Sequence, residues 1–107
     1  VKTILDKDEN ASVVVGGDCN EFLQTRSVYA AFDGILTDAD EVANIAPLER
    51  YTYVFDQNNQ QLDHIFVSDA VAERTVAVEH IHVNNWSPLL SQRISDHDPS
   101  VAKFKIC

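Results

Sequence analysis

A-S-V-V-V-G-G-D-C-N, residues 11–20, opens with a β-branched apolar run, breaks at a glycine pair and closes on polar groups. Three consecutive valines favour pleated backbone, because branching at Cβ restricts the side chain in a helix. With no polar residue alternating through it, the run reads as a strand buried on both faces, and Gly16-Gly17 reads as the turn that ends it. Downstream, Phe22, Leu23, Val28, Tyr29 and Phe32 fall at helical spacing. The expected helix spans Glu21 to Phe32, with Asn20 near its N-cap and Gly34 closing it.

The rest of the chain reads mainly as strand. Asp38 to Ala46 is acidic and partly helical until Pro47 breaks it, and Asp38-Ala39-Asp40-Glu41 reads as a solvated helix start without a calcium-loop pattern. Tyr51 to Phe55 is aromatic and β-branched. With Gln61 to Ser68 it is expected to form a hairpin about the polar turn Asp56 to Asn59. Tyr51 and Tyr53 are expected in the core or in cross-strand pairs. Thr75 to Val83 alternates, placing Val76, Val78, His80 and His82 on one face and Ala77, Glu79, Ile81 and Val83 on the other. Asn84 to Ser95 is a loop whose Trp86 is expected to be buried. Ser100 to Ile106 is a last strand. Strands with one or two helices indicate an α+β architecture, a sheet with helices on one side.

Composition narrows the functional classes. Seventeen acidic against eight basic residues give a formal net charge of −9. That is a poor electrostatic footprint for nucleic acid, so a phosphate substrate would need bound cations. No apolar run approaches the roughly 20 residues of a membrane span. Cys19 and Cys107 make neither a disulfide framework nor a zinc spacing, and two unpaired thiols are favoured over a bridge. Val1 is not an initiator Met, which points to processing or to the edge of a fragment.

Three polar clusters sit where strands are expected to end: Gly17-Asp18-Cys19-Asn20, Leu62-Asp63-His64 and Ser95-Asp96-His97-Asp98-Pro99. Carboxylates and imidazoles beside apolar strand residues cost desolvation unless they are paired or bind a metal. Taken singly, each has an ordinary structural reading. Asp18 and Asn20 would shape a turn and cap a helix, Asp63-His64 would face solvent, and residues 95–99 would form a polar turn.

Taken in order, G-D-x-N after a β-branched strand, L-D-H-I-F-V-S preceded by Y-T-Y, and S-D-H-D-P before a final strand resemble the endonuclease/exonuclease/phosphatase (DNase I-like) superfamily. The resemblance runs from Ser12 to Ile106. It implies that the chain is the C-terminal half of such a domain, half of a β-sandwich flanked by helices, with the whole domain roughly twice this long.

The resemblance also implies roles. Asp18 orients or deprotonates the attacking water, and Asn20 holds a phosphate oxygen. His97 faces the phosphate and Asp63 pairs with it. Asp96 belongs to the metal site, where a hard oxygen donor suits Mg²⁺ or Mn²⁺. His64 is expected to pack rather than catalyse, and Asp98 to be a structural partner of its loop. His80 and His82, two apart with no third ligand, are expected to be exposed.

The asparagine, the glutamate and the second histidine or tyrosine that the family's N-terminal half supplies have no counterpart here. A separate N-terminal half is therefore an expected partner. The implied activity is metal-dependent phosphodiester hydrolysis, first of all on nucleic acid. A phosphatase, a lipid phosphodiesterase and a non-catalytic interaction module are the alternatives. An acidic nuclease-like chain also suits a location outside the cell.

Overall fold

The segment D-H-I-F-V, Asp63–Val67, is the strand around which the molecule is organised. In the computed structural model, which describes residues 1–18, 32, 34–55, 58–74, 76–87 and 89–105, it is flanked by partners on both edges. Numbering in chain order, β1 is Val14–Asp18, β2 Thr37–Asp38, β3 Tyr53–Phe55, β4 Asn58–Gln60, β5 Asp63–Val67, β6 Val76–His80 and β7 Ser100–Phe104. The helices are α1 (Lys2–Lys7), α2 (Ala39–Val42) and α3 (Asp69–Ala72), with 3-10 turns at Pro47–Glu49 and Leu90–Gln92. Among the described residues, β1, β5 and β2 form one antiparallel sheet in that order, β3 pairs with β4, and β6 pairs with β7. The architecture is α+β.

Both faces of β5 are covered. Phe66 packs with Leu36, against which Val13, Val15, Phe32 and Ile35 lie. Val67 packs with Ala39 and Val71, and Ile65, Val76, Val78 and Phe104 close on that cluster. The expected alternation of Val76 to His80 is present: Val76, Val78 and His80 are half-buried, while Ala77 and Glu79 are exposed. In β7, Ser100, Ala102 and Phe104 match them across the pair.

Several expectations are corrected. The strand that begins at the valines does not stop at Gly16-Gly17 but runs through them to Asp18, and it is largely exposed rather than buried. It is an edge strand, and two glycines bring no side chain to bury. The hairpin partner of β3 is Asn58–Gln60, not Gln61 to Ser68. The chain leaves the hairpin at Leu62, where the buried Thr52 Oγ1 accepts the amides of Leu62 and Asp63, both at 3.3 Å. Asp38 and Asp40 are buried at 5% and 4% exposure, not solvated. Asp38 caps α2 by accepting the Asp40 amide at 2.8 Å. Trp86 is 73% exposed, lying at the surface beside the His82 ring with its indole Nε1 donating to Tyr51 Oη at 3.0 Å. Cys19, Asn20, Cys107 and the helix expected over Glu21 to Phe32, Phe32 apart, lie outside the described residues. No helix among the described residues is long and apolar enough to cross a membrane.

Most polar groups in the interior are hydrogen-bonded, as burial requires; His82 Nε2 and Asn85 Oδ1 are the exceptions among the described residues. Ser68, fully buried, donates to the Ala11 carbonyl at 2.8 Å and accepts the Val13 amide at 3.0 Å, tying the N-terminal segment to the end of β5. Asp98, also buried, accepts the amides of Asn84 and Asn85, the side-chain amide of Asn85 and a contact from His82 Nδ1. This matches its expected role as a partner of its loop. Burial alone would raise its pKa. The hydrogen bonds from the Asn85 side chain and backbone, the His82 ring and the Asn84 backbone outweigh burial, and the pKa lies below the ordinary 3.8.

Two stability predictions follow from these groups. Ser68→Ala should lower the unfolding free energy measured in urea by about 1–3 kcal/mol, the usual cost of orphaning buried backbone groups. Asp98 binds its proton less readily folded than unfolded, so its contribution is complete above pH 3.8 and is lost as pH falls through the lower folded value. Asp98→Asn should therefore be less stable at neutral pH and lose less stability than the wild type between neutrality and strong acid. Parallel acid-denaturation curves for the two proteins would sink this assignment.

Candidate active site

Asp18 is the last residue of β1 and Asp63 the first of β5, and the register places them directly opposite each other. Two like charges in a cross-strand pair repel. The third sequence cluster answers this. His97 Nδ1 lies 2.6 Å from Asp63 Oδ2, and Nε2 lies 3.8 Å from Asp18 Oδ2. Asp96 Oδ1 stands 4.0 Å from the same Nε2. The imidazole therefore sits between the carboxylates of two strand ends.

The local fold fixes the ring. His97 makes an antiparallel bridge with Tyr53, whose ring lies 5.2 Å from the imidazole, centroid to centroid. The His97 carbonyl accepts the Asn84 side-chain amide at 2.8 Å, and its own amide donates to Ser95 Oγ at 3.0 Å. Partial burial pulls the His97 pKa down. The hydrogen bond and charge of Asp63, with the charges of Asp18 and Asp96, more than offset this and raise it above 6.5.

Of the residues singled out from sequence, Asp18, Asp63, Asp96 and His97 are brought together, and Asn20 lies outside the described residues. Asp96 is the most exposed of the four, at 66% of its side chain. His64 is buried in the fold instead, its Nδ1 3.4 Å from Asp38 Oδ2 and its Nε2 3.1 Å from the Gln61 carbonyl.

His80 and His82 are not the exposed residues expected. His80 Nε2 lies 2.8 Å from Asp40 Oδ1 and its Nδ1 2.7 Å from Ser100 Oγ. His82 stacks on Tyr51 at 3.8 Å between centroids, with Asp98 behind its Nδ1. Beside the cluster, a cleft of about 290 Å³ runs from Gly17, Asp18 and Asp63 inward to Val78, His80 and Pro99. Among the described residues its walls include no lysine or arginine. Sequence reasoning missed this cleft, since it depends on how β1–β5 meets β6–β7.

The donor set suits a hard divalent ion. Asp18, Asp63 and His97 each offer a ligand atom within 4.8 Å of the others, but Asp63 is committed to His97 Nδ1. Asp96 lies outside that group, its Oδ1 4.0 Å from His97 Nε2. Mg²⁺ is commonly held by one or two carboxylates, keeping waters and substrate phosphate oxygens for the rest of its shell. The residues fit that ion and fit poorly a closed tetrahedral zinc site.

No protein-family model, curated protein or solved structure matches this chain.

The His97 ring offers a direct check. Because its folded pKa is raised, the stabilisation it gives is complete below pH 6.5 and is lost as pH rises through the folded value. In an NMR titration its midpoint should lie above 6.5, and Asp63→Asn should bring it down, since partial burial then acts against a weakened attraction. An unchanged midpoint in Asp63→Asn would show that the 2.6 Å contact does not control the ring.

Proposed function

We propose that this chain carries part of a site for metal-dependent phosphodiester hydrolysis, with nucleic acid as the leading substrate class. One observation supports the reading above all. A histidine held by one aspartate is aimed at a second across the junction of two strand ends, with a third aspartate alongside. In this reading Asp63 accepts Nδ1–H, which fixes the tautomer and leaves Nε2–H directed outward as a donor to a phosphoryl oxygen. The carboxylates that raise its pKa favour the charged form of that donor.

Asp18, on the other side of Nε2, orients the attacking water and takes its proton. Asn20 is assigned a phosphate oxygen on the strength of the motif alone. Asp96 would hold Mg²⁺ or Mn²⁺, which when bound would supply neutralisation of phosphoryl charge. A DNase I-like sandwich completed by a separate N-terminal half belongs to the same proposal, and that half would bring the further metal ligands.

The net charge of −9 favours a second reading, a phosphatase or lipid phosphodiesterase. Duplex binding draws most of its affinity from basic residues on phosphates.

Plasmid DNA, bis(p-nitrophenyl) phosphate and sphingomyelin, assayed side by side with Mg²⁺ and with EDTA, separate the readings. The expected result is slow, Mg²⁺-dependent cleavage that falls at least about 100-fold in His97→Ala and in Asp18→Asn, the scale of a lost acid–base group. Cleavage of DNA supports the nuclease, and cleavage confined to the other substrates supports the second reading. Turnover that survives His97→Ala would sink both. Absence of any divalent-dependent turnover, with the half-domain partner supplied as well, would leave a non-catalytic module.

A further inference from the structure

His82 repeats the arrangement of His97 at a separate place in the fold. Its side chain is 5% exposed, and its Nδ1 lies 3.1 Å from Asp98 Oδ2. Asp98 already accepts two backbone amides on Oδ1 and the Asn85 side-chain amide on Oδ2. A carboxylate so surrounded by donors accepts and does not donate, so the proton of His82 resides on Nδ1. In the neutral ring Nε2 then presents a lone pair.

That nitrogen is buried and has no hydrogen-bond partner among the described residues. The nearest charged atom facing it is Glu49 Oε2 at 3.8 Å, another acceptor. Two acceptors confronting each other call for a cation or a donor between them. The cleft they border, about 540 Å³, is lined in addition by Glu79 and the apolar Ile45, Val83 and Trp86, with no lysine or arginine among the described residues of its wall.

We propose that His82 and Glu49 form a binding site for a borderline divalent transition ion of the Zn²⁺ class, distinct from the Asp18–Asp63–His97 cluster. An imidazole whose far nitrogen is fixed by a carboxylate is the usual form of a metal-ligating histidine. Imidazole nitrogen paired with a carboxylate oxygen selects zinc-like ions over magnesium. Ligand bonds of about 2.0–2.2 Å to each atom span such a gap with an open angle at the metal. Glu49, with a side chain 67% exposed, has the freedom to close it further. Two protein ligands leave positions open toward the cleft for water or for an anionic group of a bound molecule.

The chain's single tryptophan makes the site observable. Trp86 lies 5.8 Å from the His82 ring, centroid to centroid, so a paramagnetic ion at Nε2 quenches its fluorescence. The experiment titrates the full chain with Co²⁺ in excess Mg²⁺, follows Trp86 emission, and displaces the Co²⁺ with Zn²⁺, whose affinity is measured by calorimetry. Saturable quenching reversed by one equivalent of Zn²⁺ is expected. Glu49→Gln, a surface change, should weaken both ions at least about tenfold, the scale on which metal-site partners act. His97→Ala and Asp18→Asn should leave both affinities unchanged. No saturable quenching, quenching indifferent to Glu49→Gln, or zinc binding lost with His97 or Asp18 instead would each overturn the proposal.

Discussion

The structure depends on pairing buried aspartates with histidines. The apolar interior is small: Leu36, Ala39, Leu62, Phe66, Val67 and Val71 are its buried hydrophobic members among the described residues. Asp38, Asp40, Thr52, His64, Ser68, His82 and Asp98 are buried beside them. A carboxylate taken from water without a partner costs several kcal/mol, more than any one of these apolar side chains returns. Each buried aspartate has a histidine within reach. His64 meets Asp38, His80 meets Asp40 and His82 meets Asp98, as His97 meets the half-buried Asp63. These pairs join elements that apolar contact alone links weakly. Asp40 of α2 reaches His80 of β6, and it also accepts the Gln61 side chain at 2.5 Å beside the start of β5.

The sequence made part of this legible. A strand with one buried face declares itself by alternation, and Val76 to His80 was readable for that reason. Asp63 and His97 stood out because a carboxylate and an imidazole beside apolar strand residues need a reason to be there. What could not be read was set at a distance. His80 finds Asp40 forty positions away, and His82 finds Asp98 sixteen away. With those partners unseen, a polar strand face reads as solvent-exposed. The boundary between β4 and β5 carries no glycine or proline, and the buried Thr52 hydroxyl that captures two successive amides creates it. The valine run looked buried because its composition is apolar. Its burial is decided by sheet order, which places β1 at an edge.

The candidate site was legible as a set of residue types but not as a geometry. That Asp18 and Asp63 stand opposite each other follows from the antiparallel register of β1 and β5, and a slip of one residue would remove it. His97 lies between those two carboxylates, and the hydrogen bond and charge of Asp63, with the charges of Asp18 and Asp96, raise its pKa against partial burial. Composition and spacing alone contain neither.

The four histidines then divide on a simple criterion. His64 and His80 have protein partners on both ring nitrogens: Asp38 and a carbonyl for the first, Asp40 and a serine hydroxyl for the second. A ring so held has no hydrogen-bonding capacity left for a ligand, and its role is structural. His97 and His82 are each tied to an aspartate through Nδ1, and each turns Nε2 toward a further carboxylate at 3.8 Å, beyond hydrogen-bonding distance. The first faces a raised-pKa junction open to solvent and the second a buried acceptor pair in a separate cleft. The same backing by aspartate thus leaves Nε2 as the variable end of each ring, and its surroundings, a half-exposed junction of carboxylates in one place and a buried cleft in the other, set the two histidines apart.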